Sequence, residues 1–351
     1  MDKWIDFRSD TVTRPTPAMR QAMAEAEVGD DVLREDPTVN RLEELAASMM
    51  GKDAALLVPS GTFGNQVALL THCRRGDEVI LSETSHIIQH EVGAAAVIAG
   101  VQLRAIQTRA GYPVWDEINS RIRWTDDLHY PKTGLIELEN ALSNGDVMPL
   151  DEMETIHCHT REKGIPIHLD GARIFNAAVY LGVTPDRIAR YADSVMFCLS
   201  KGLCAPIGSI LVGSAAFIER ARKNRKLMGG GMRQAGILAA AGLIAIQTMS
   251  QRLNEDHQHA KRLAQALTDY PELDINPDQV KINMVFLRFK PQSQAEIDRE
   301  FQLVESMRRH RILTYPPENG WIRLVTHHDI TSQDMDRVIG LLPSILRNQP
   351  C

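Results

Sequence analysis

The sequence predicts an α/β protein, with a large domain built on a doubly wound, mostly parallel sheet and a smaller α+β domain after it. Three observations carry this. Between residues 54 and 213, apolar runs of strand length alternate with helix-like stretches of about ten to fifteen residues, as in strands joined by crossover helices. At Gly229-Gly230-Gly231 the alternation stops and a long apolar helix begins. Beyond about residue 255 a shorter set of elements follows. The 351 residues exceed one small core, and the reading divides them as 1–254 and 255–351.

The elements follow from local chemistry. Asp36-Pro37 is a helix start, a capping carboxylate with proline at the first helical position. Val39, Leu42, Leu45, Ala46 and Met49 then recur at helical spacing until Gly51 ends the pattern. The run "AALLV" predicts a buried strand, and "SGTFGNQVALLTHC" a loop that turns into a helix. "DEVILS", "VQLRAIQ" and "TGLIELEN" read as strands, the last running into Asn140. "LDEMETIHCHTREKG" is a helix ended by Gly164. "IPIHLDGAR" is a strand reaching Asp170, and "ADSVMFCLS" and "SILVG" are two more. "GILAAAGLIAIQTM" is a helix expected to continue towards Leu253. The small domain is expected to hold helices near 256–268, 294–309 and 332–346, with strands near 283–289 and 321–326.

Composition narrows the function. Lys plus Arg is 39 against 45 Asp plus Glu, a net charge of −6 without long single-sign blocks, so nucleic-acid binding has no electrostatic support. No apolar segment approaches the roughly 20 residues that span a bilayer. The polar start "MDKWIDFRSDTVTRP" is unlike a signal peptide. Cys73, Cys158, Cys198, Cys204 and Cys351 are odd in number and lack paired spacing, which predicts reduced thiols in a cytoplasmic protein. His157-Cys158-His159 could suggest a metal. Adjacent helical residues diverge, however, and no second cluster supports it, so no metal is expected.

In open α/β sheets, ligands sit at the carboxyl ends of the strands. After "ALLVP" comes Ser60-Gly61-Thr62, either a plain capped helix or a phosphate grip of backbone N–H groups. After "DEVILS" comes His86, which could stack on a flat ligand, move protons, or be an ordinary loop histidine. After "IPIHL" comes Asp170, with Arg173 three residues on. These two could pin a turn as an internal pair, or face a bound cation and an anion. After "SVMFCLS" comes Lys201, a lone ammonium between two core-like runs, where an unpaired charge is costly. One cofactor uses a lysine, a carboxylate and a phosphate grip together. The aldehyde of pyridoxal 5'-phosphate needs the amine, its pyridine nitrogen the carboxylate, and its phosphate the helix start.

The stretches "DFRSDTVTRPTPAM", "VGDDV", "EDPTVNRLEELAA", "VPSGTFGNQVALL", "HLDGARIFNA", "CLSKGL", "PIGSILVG", "RKLMGGGMRQAGILAAAG" and "IRLVTH" carry a resemblance across residues 6 to 328. The chain resembles the low-specificity L-threonine aldolases, of the threonine aldolase and β-eliminating lyase family of fold-type I PLP-dependent enzymes. The resemblance implies a fold-type I transferase-like architecture and retro-aldol cleavage of L-threonine, L-allo-threonine and related β-hydroxy-α-amino acids to glycine and an aldehyde. It implies Lys201 as the cofactor-bonding lysine, Asp170 at the pyridine nitrogen, and Gly61 and Thr62 at the phosphate. Arg233 is implied to reach the phosphate of a neighbouring subunit, and His86 to stack on the ring. Ser9, Arg173 and Arg323 are implied around the substrate carboxylate, and His129 near the substrate hydroxyl. His86, and after it His129, is the candidate base. A homotetramer with shared active sites is implied too. One departure stands out. Where the family has "LENTHN", this chain has "LENALSNG", with Ala141-Leu142 in place of Thr-His. The rival readings are β-elimination on the same scaffold and cofactor binding without catalysis.

Overall fold

The computed structural model describes residues 3–125, 127–290 and 298–347. The chain forms two compact units, Pro15–Ser250 and Met1–Arg14 with Gln251–Cys351. The sequence reading placed the amino-terminal segment in the large domain and the break after residue 254. The structure differs at the amino end for a clear reason. The first strand, β1 (Ile5–Asp6), pairs in parallel with a strand at Ile312–Leu313. Ile5 and Phe7 are then buried in that unit's apolar core.

The larger unit is built on one sheet of seven strands: β2 (Ala54–Val58), β3 (Glu78–Ser82), β4 (Gln102–Ile106), β5 (Thr133–Glu139), β6 (Ile167–Asp170), β7 (Ser194–Cys198) and β8 (Ser209–Gly213), in the order β2-β8-β7-β6-β5-β3-β4. Strands β7, β6, β5, β3 and β4 are parallel, and β8 runs antiparallel to both neighbours. Every residue of β3, β5, β6, β7 and β8 is buried, which is why these strands read as near-continuous apolar runs. The carboxyl ends of β3, β5, β6 and β7 therefore lie side by side, and β2 opens at the same edge across β8.

Asp36 caps the helix Pro37–Met49 by accepting the N–H groups of Thr38 and Val39 at Oδ1. Its Oδ2 accepts from Gly29 and Gly236, so one carboxylate ties together three distant segments. A Cβ at Gly236 would stand 2.5 Å from that carboxylate, so the close approach requires glycine. The apolar helix that begins at Gly236 ends at Gln247, short of the expected Leu253. A 3-10 turn at Met249–Arg252 separates it from the next helix, Leu253–Leu267.

The smaller unit contains β9 (Leu273–Asp274), β10 (Met284–Phe289), β11 (Ile312–Leu313) and β12 (Ile322–Val325), with β12, β10 and β9 in one antiparallel sheet. Leu287 and Leu324 from this sheet share a core with Leu263, Leu303 and Met335 from the helices Leu253–Leu267, Asp298–Arg309 and Ser332–Arg347. The expected start of the middle helix near 294 lies outside the described residues. No helix among the described residues is long and apolar enough to cross a membrane.

Candidate active site

Four adjacent strand ends build the site. Beyond β3 the chain turns, and His86 opens the short helix His86–Gln89. Two carboxylates of β5 anchor that turn. Glu137 Oε2 accepts from Ser85 Oγ at 2.6 Å, and Glu139 Oε2 accepts from the backbone N–H of His86 at 3.2 Å. Ser143 Oγ donates to the other oxygen of Glu139. His86 Nδ1 lies 3.0 Å from Glu91 Oε1. A carboxylate offers acceptors alone, so Nδ1 carries the hydrogen, and in the neutral ring Nε2 is left with a free lone pair. The Glu91 bond is the largest cause holding the His86 pKa above its ordinary value.

Glu91 is fully enclosed. Besides His86 it accepts from Asn65 Nδ2 at 2.8 Å and Gln66 Nε2 at 2.6 Å. Asp170, at the end of β6, is 1% exposed. Its Oδ2 accepts from the same Asn65 Nδ2 at 2.7 Å, and its Oδ1 from the backbone N–H of Ala172 at 3.0 Å. Lys201 follows β7 on a half-buried turn closed by a bond from Cys204 N–H to its carbonyl. It belongs to the same electrostatic neighbourhood, since Lys201 lowers and Asp170 raises the proton affinity of His86. Burial, reinforced by Asp170, pushes the Glu137 carboxyl well up, and it pushes Glu139 up likewise. The site thus holds four buried carboxylates, Glu91, Glu137, Glu139 and Asp170.

At the end of β2, Ser60 caps the helix Gly61–His72, its Oγ accepting from Phe63 N–H and its carbonyl from Gly64 N–H. The amides of Gly61 and Thr62 have no partner among the described residues, which suits an anion. A Cβ at Gly61 would lie 3.0 Å from Cys198 Sγ, so glycine lets this helix start close against β7. Arg173, buried, stands at the start of the helix Ile174–Leu181.

Arg233 is exposed and pairs with Asp30 of its own chain at 2.7 Å. His129 sits in an exposed loop where Asp127 accepts its backbone N–H. Ser9 and Arg323 belong to the smaller unit. Ser9, buried, caps a short 3-10 turn, and Arg323 lies on β12 opposite Phe286. Ala141 and Leu142 are both buried. His157 bonds to the Tyr191 carbonyl while His159 stacks on Trp115, so that pair diverges as expected. The nitrogen and oxygens of His86, Glu91 and Asp170 lie within 4.8 Å of one another, but Asn65 and His86 already occupy the facing carboxylate atoms. A metal would have to displace both.

A family profile described as Beta-eliminating lyase matches residues 6–290. The chain belongs to the beta-eliminating lyase family. This lyase is 44% identical over 336 residues to low-specificity L-threonine aldolase 1 of Arabidopsis thaliana, covering 94% of this chain and 93% of that one. It is 43% identical over 335 residues to the low specificity L-threonine aldolase of Escherichia coli strain K12, covering 95% and 97%. A solved Leishmania major threonine aldolase superposes with a TM-score of 0.82 at 19% identity, over 97% of this chain and 99% of that one, which establishes the shared fold. The lyase's donor set, an amine, a carboxylate and two free helix-start amides, fits pyridoxal phosphate. Asn65, Gln66, Glu91, Glu137 and Glu139 were not among the residues expected here. The signal was present in Asn65-Gln66 within an apolar helix and in two glutamates within "TGLIELE", since polar groups in buried runs need partners.

Proposed function

We propose that this chain is a pyridoxal-phosphate-dependent aldolase that splits L-threonine and related β-hydroxy-α-amino acids into glycine and an aldehyde. One observation carries the reading: His86, oriented by Glu91, shares an electrostatic neighbourhood with Asp170 and Lys201 at the ends of β3, β6 and β7. The names of the relatives support the substrate class. When bound, pyridoxal phosphate supplies an electron sink for the breaking Cα–Cβ bond. Lys201 would bond the cofactor's aldehyde, Asp170 would hold its ring nitrogen, and the Gly61 and Thr62 amides would hold its phosphate. Arg173 takes the substrate carboxylate through a guanidinium fork, which sets the rotation about Cα–N. His86 accepts the β-hydroxyl proton at Nε2, and Glu91 stabilises the resulting cation. The roles of Ser9, Arg323 and His129 rest on sequence resemblance. Exposed Leu33 and Ile237, close in sequence to the Asp30–Arg233 pair, favour self-association there, while the homotetramer rests on sequence resemblance and the free thiols favour a cytoplasmic setting.

The test is turnover of L-threonine and L-allo-threonine by the wild type and by Lys201→Ala. Glycine and acetaldehyde are expected from the wild type, with loss of the cofactor's visible absorbance and of cleavage in the variant. Retained cleavage sinks the role of Lys201. Ammonia and a keto acid from a β-substituted alanine, without aldol cleavage, would mean β-elimination. A coloured but inert wild type would mean a binding role.

A further inference from the structure

A buried chain of hydrogen bonds leads away from the site through the sheet. Asn65 Nδ2 lies 2.7 Å from Asp170 Oδ2 and 2.8 Å from Glu91 Oε1. Both are carboxylate acceptors, so both amide hydrogens are committed and the carboxamide cannot flip without facing its oxygen to two anions. Its Oδ1 therefore has to accept, and the partner is His168 Nε2 at 3.1 Å. With Nε2 the donor in a neutral ring, His168 Nδ1 becomes an acceptor, and Ser194 Oγ donates to it at 2.9 Å. Ser194 Oγ in turn accepts from His72 Nε2 at 2.7 Å. Every hydrogen in this chain points towards the two carboxylates.

We propose that Asn65 is a positioning residue for the reaction, locking Asp170 and the Glu91–His86 pair in one geometry, and that His168, backed by Ser194 and His72, braces it at Oδ1. Asn65 and His168 are 0% exposed, and Ser194 is as deeply buried, so water does not compete for the bonds among these three, while His72 at the outer end is half-buried. Burial holds the His168 pKa down at about 4 and that of His72 at about 3, so both rings are neutral near pH 7, as a one-donor, one-acceptor relay requires. The charged groups facing this chain are Asp170 and Glu91 at one end, with His86, Glu137, Glu139 and Lys201 behind them, and Arg220 near His72 at the other. The inference rests on the proposed role of Asp170 at the ring nitrogen.

Two measurements test it. The first needs no cofactor: 15N chemical shifts in the cofactor-free protein should show His168 wholly as the Nε2–H tautomer. The opposite tautomer, or a charged ring near pH 7, overturns the proposal. The second uses the holoenzyme. His168→Leu removes the donor to Asn65, and kcat/KM for L-threonine should fall about 10- to 100-fold, as for a small misplacement of reacting groups. The acid limb of its pH profile should move to higher pH, because Asn65, no longer braced at Oδ1, donates less well to Glu91, which then binds His86 more strongly. His168→Gln, which returns a donor near the Nε2 position, should restore both. A folded His168→Leu protein with an unmoved acid limb overturns the proposal. If that variant does not fold, Ser194→Ala replaces it. It leaves His168 Nδ1 without its donor, so the acid limb should move in the same direction, and an unmoved limb overturns the proposal. A wild type that neither binds pyridoxal phosphate nor cleaves threonine would sink the proposed function, while the tautomer measurement would still decide the ordering of the chain.

Discussion

At the residue scale, His86 shows how a neighbour sets chemistry. Its Nδ1 bond to Glu91 leaves Nε2 for the role of base proposed above and raises the pKa of the ring. A base with a raised pKa becomes neutral, and so active, at a higher pH. Glu91→Gln removes the charge that raises it, so the acid limb of kcat/KM should move to lower pH. The plateau should fall roughly 10- to 100-fold as the imidazolium loses its stabilising partner. The pH profile for L-threonine checks this, and an unmoved acid limb would mean that another group is the base. The sequence singled out His86, Asp170 and Lys201 as strand-end residues, and the structure brings the three together. Glu91 was harder to see. It lies five residues after His86, and the chain must turn back after the short helix for the two side chains to meet.

The Arg225–Asp31 pair belongs to the same scale. Arg225 is 2% exposed, forms an ion pair with Asp31 at 2.7 Å and donates to the Leu57 carbonyl. Arg225→Ala would leave a buried carboxylate without its cation. That should cost about 3–5 kcal/mol in urea denaturation. A loss below 1 kcal/mol would show that water enters the site freely.

At the element scale, capping and burial explain most boundaries. Asp36-Pro37 was legible as a helix start because cap and proline act within one turn. That the other oxygen of the same carboxylate holds Gly29 and Gly236 was not, since those amides are brought in by the fold. Asp36→Ala removes a cap and takes the acceptor from two further amides, the buried Gly236 and the half-buried Gly29. A loss of about 2–5 kcal/mol is expected, measurable by urea denaturation, with no change in the acid limb of the pH profile. The apolar stretch from Gly236 read as one long helix because apolar residues surround it on every side. Such a pattern carries no phase, so the 3-10 break at Met249–Arg252 left no mark in it. The short strands β1, β9 and β11 were also missed. Two residues are too few to show alternation.

At the scale of the whole molecule, pH acts through histidines buried as neutral rings. His72 and His168 have folded pKa values of about 3 and about 4, below the ordinary value of 6.5. The unfolded chain binds these protons first, so stability is full above about pH 6.5 and falls as pH drops from there towards 4. The loss should be on the order of a few kcal/mol by pH 4.5, and smaller in His168→Gln. Thermal melts at pH 7 and pH 5 check this, and equal midpoints would contradict it. Chain association belongs here too. Light scattering on the purified protein should report a multimer, and a strict monomer would count against the self-association proposed for the face around Arg233.

By itself the sequence determined the class of fold, the order of the principal strands and helices, and which strand ends carry His86, Asp170 and Lys201. Periodicity, caps and breakers act over a few residues and are written directly into the chain. Only the tertiary structure decided the rest. It gave residues up to Arg14 to the smaller unit because β1 finds its hydrogen-bond partners at Ile312–Leu313. It laid β3, β5, β6 and β7 side by side, so that four buried carboxylates share one site. It joined Asn65 to His168, 103 residues away, and so fixed the direction of every hydrogen in the chain beneath Asp170. Pairings of that kind depend on which buried groups the packed sheet brings within hydrogen-bond reach, and no local pattern records them.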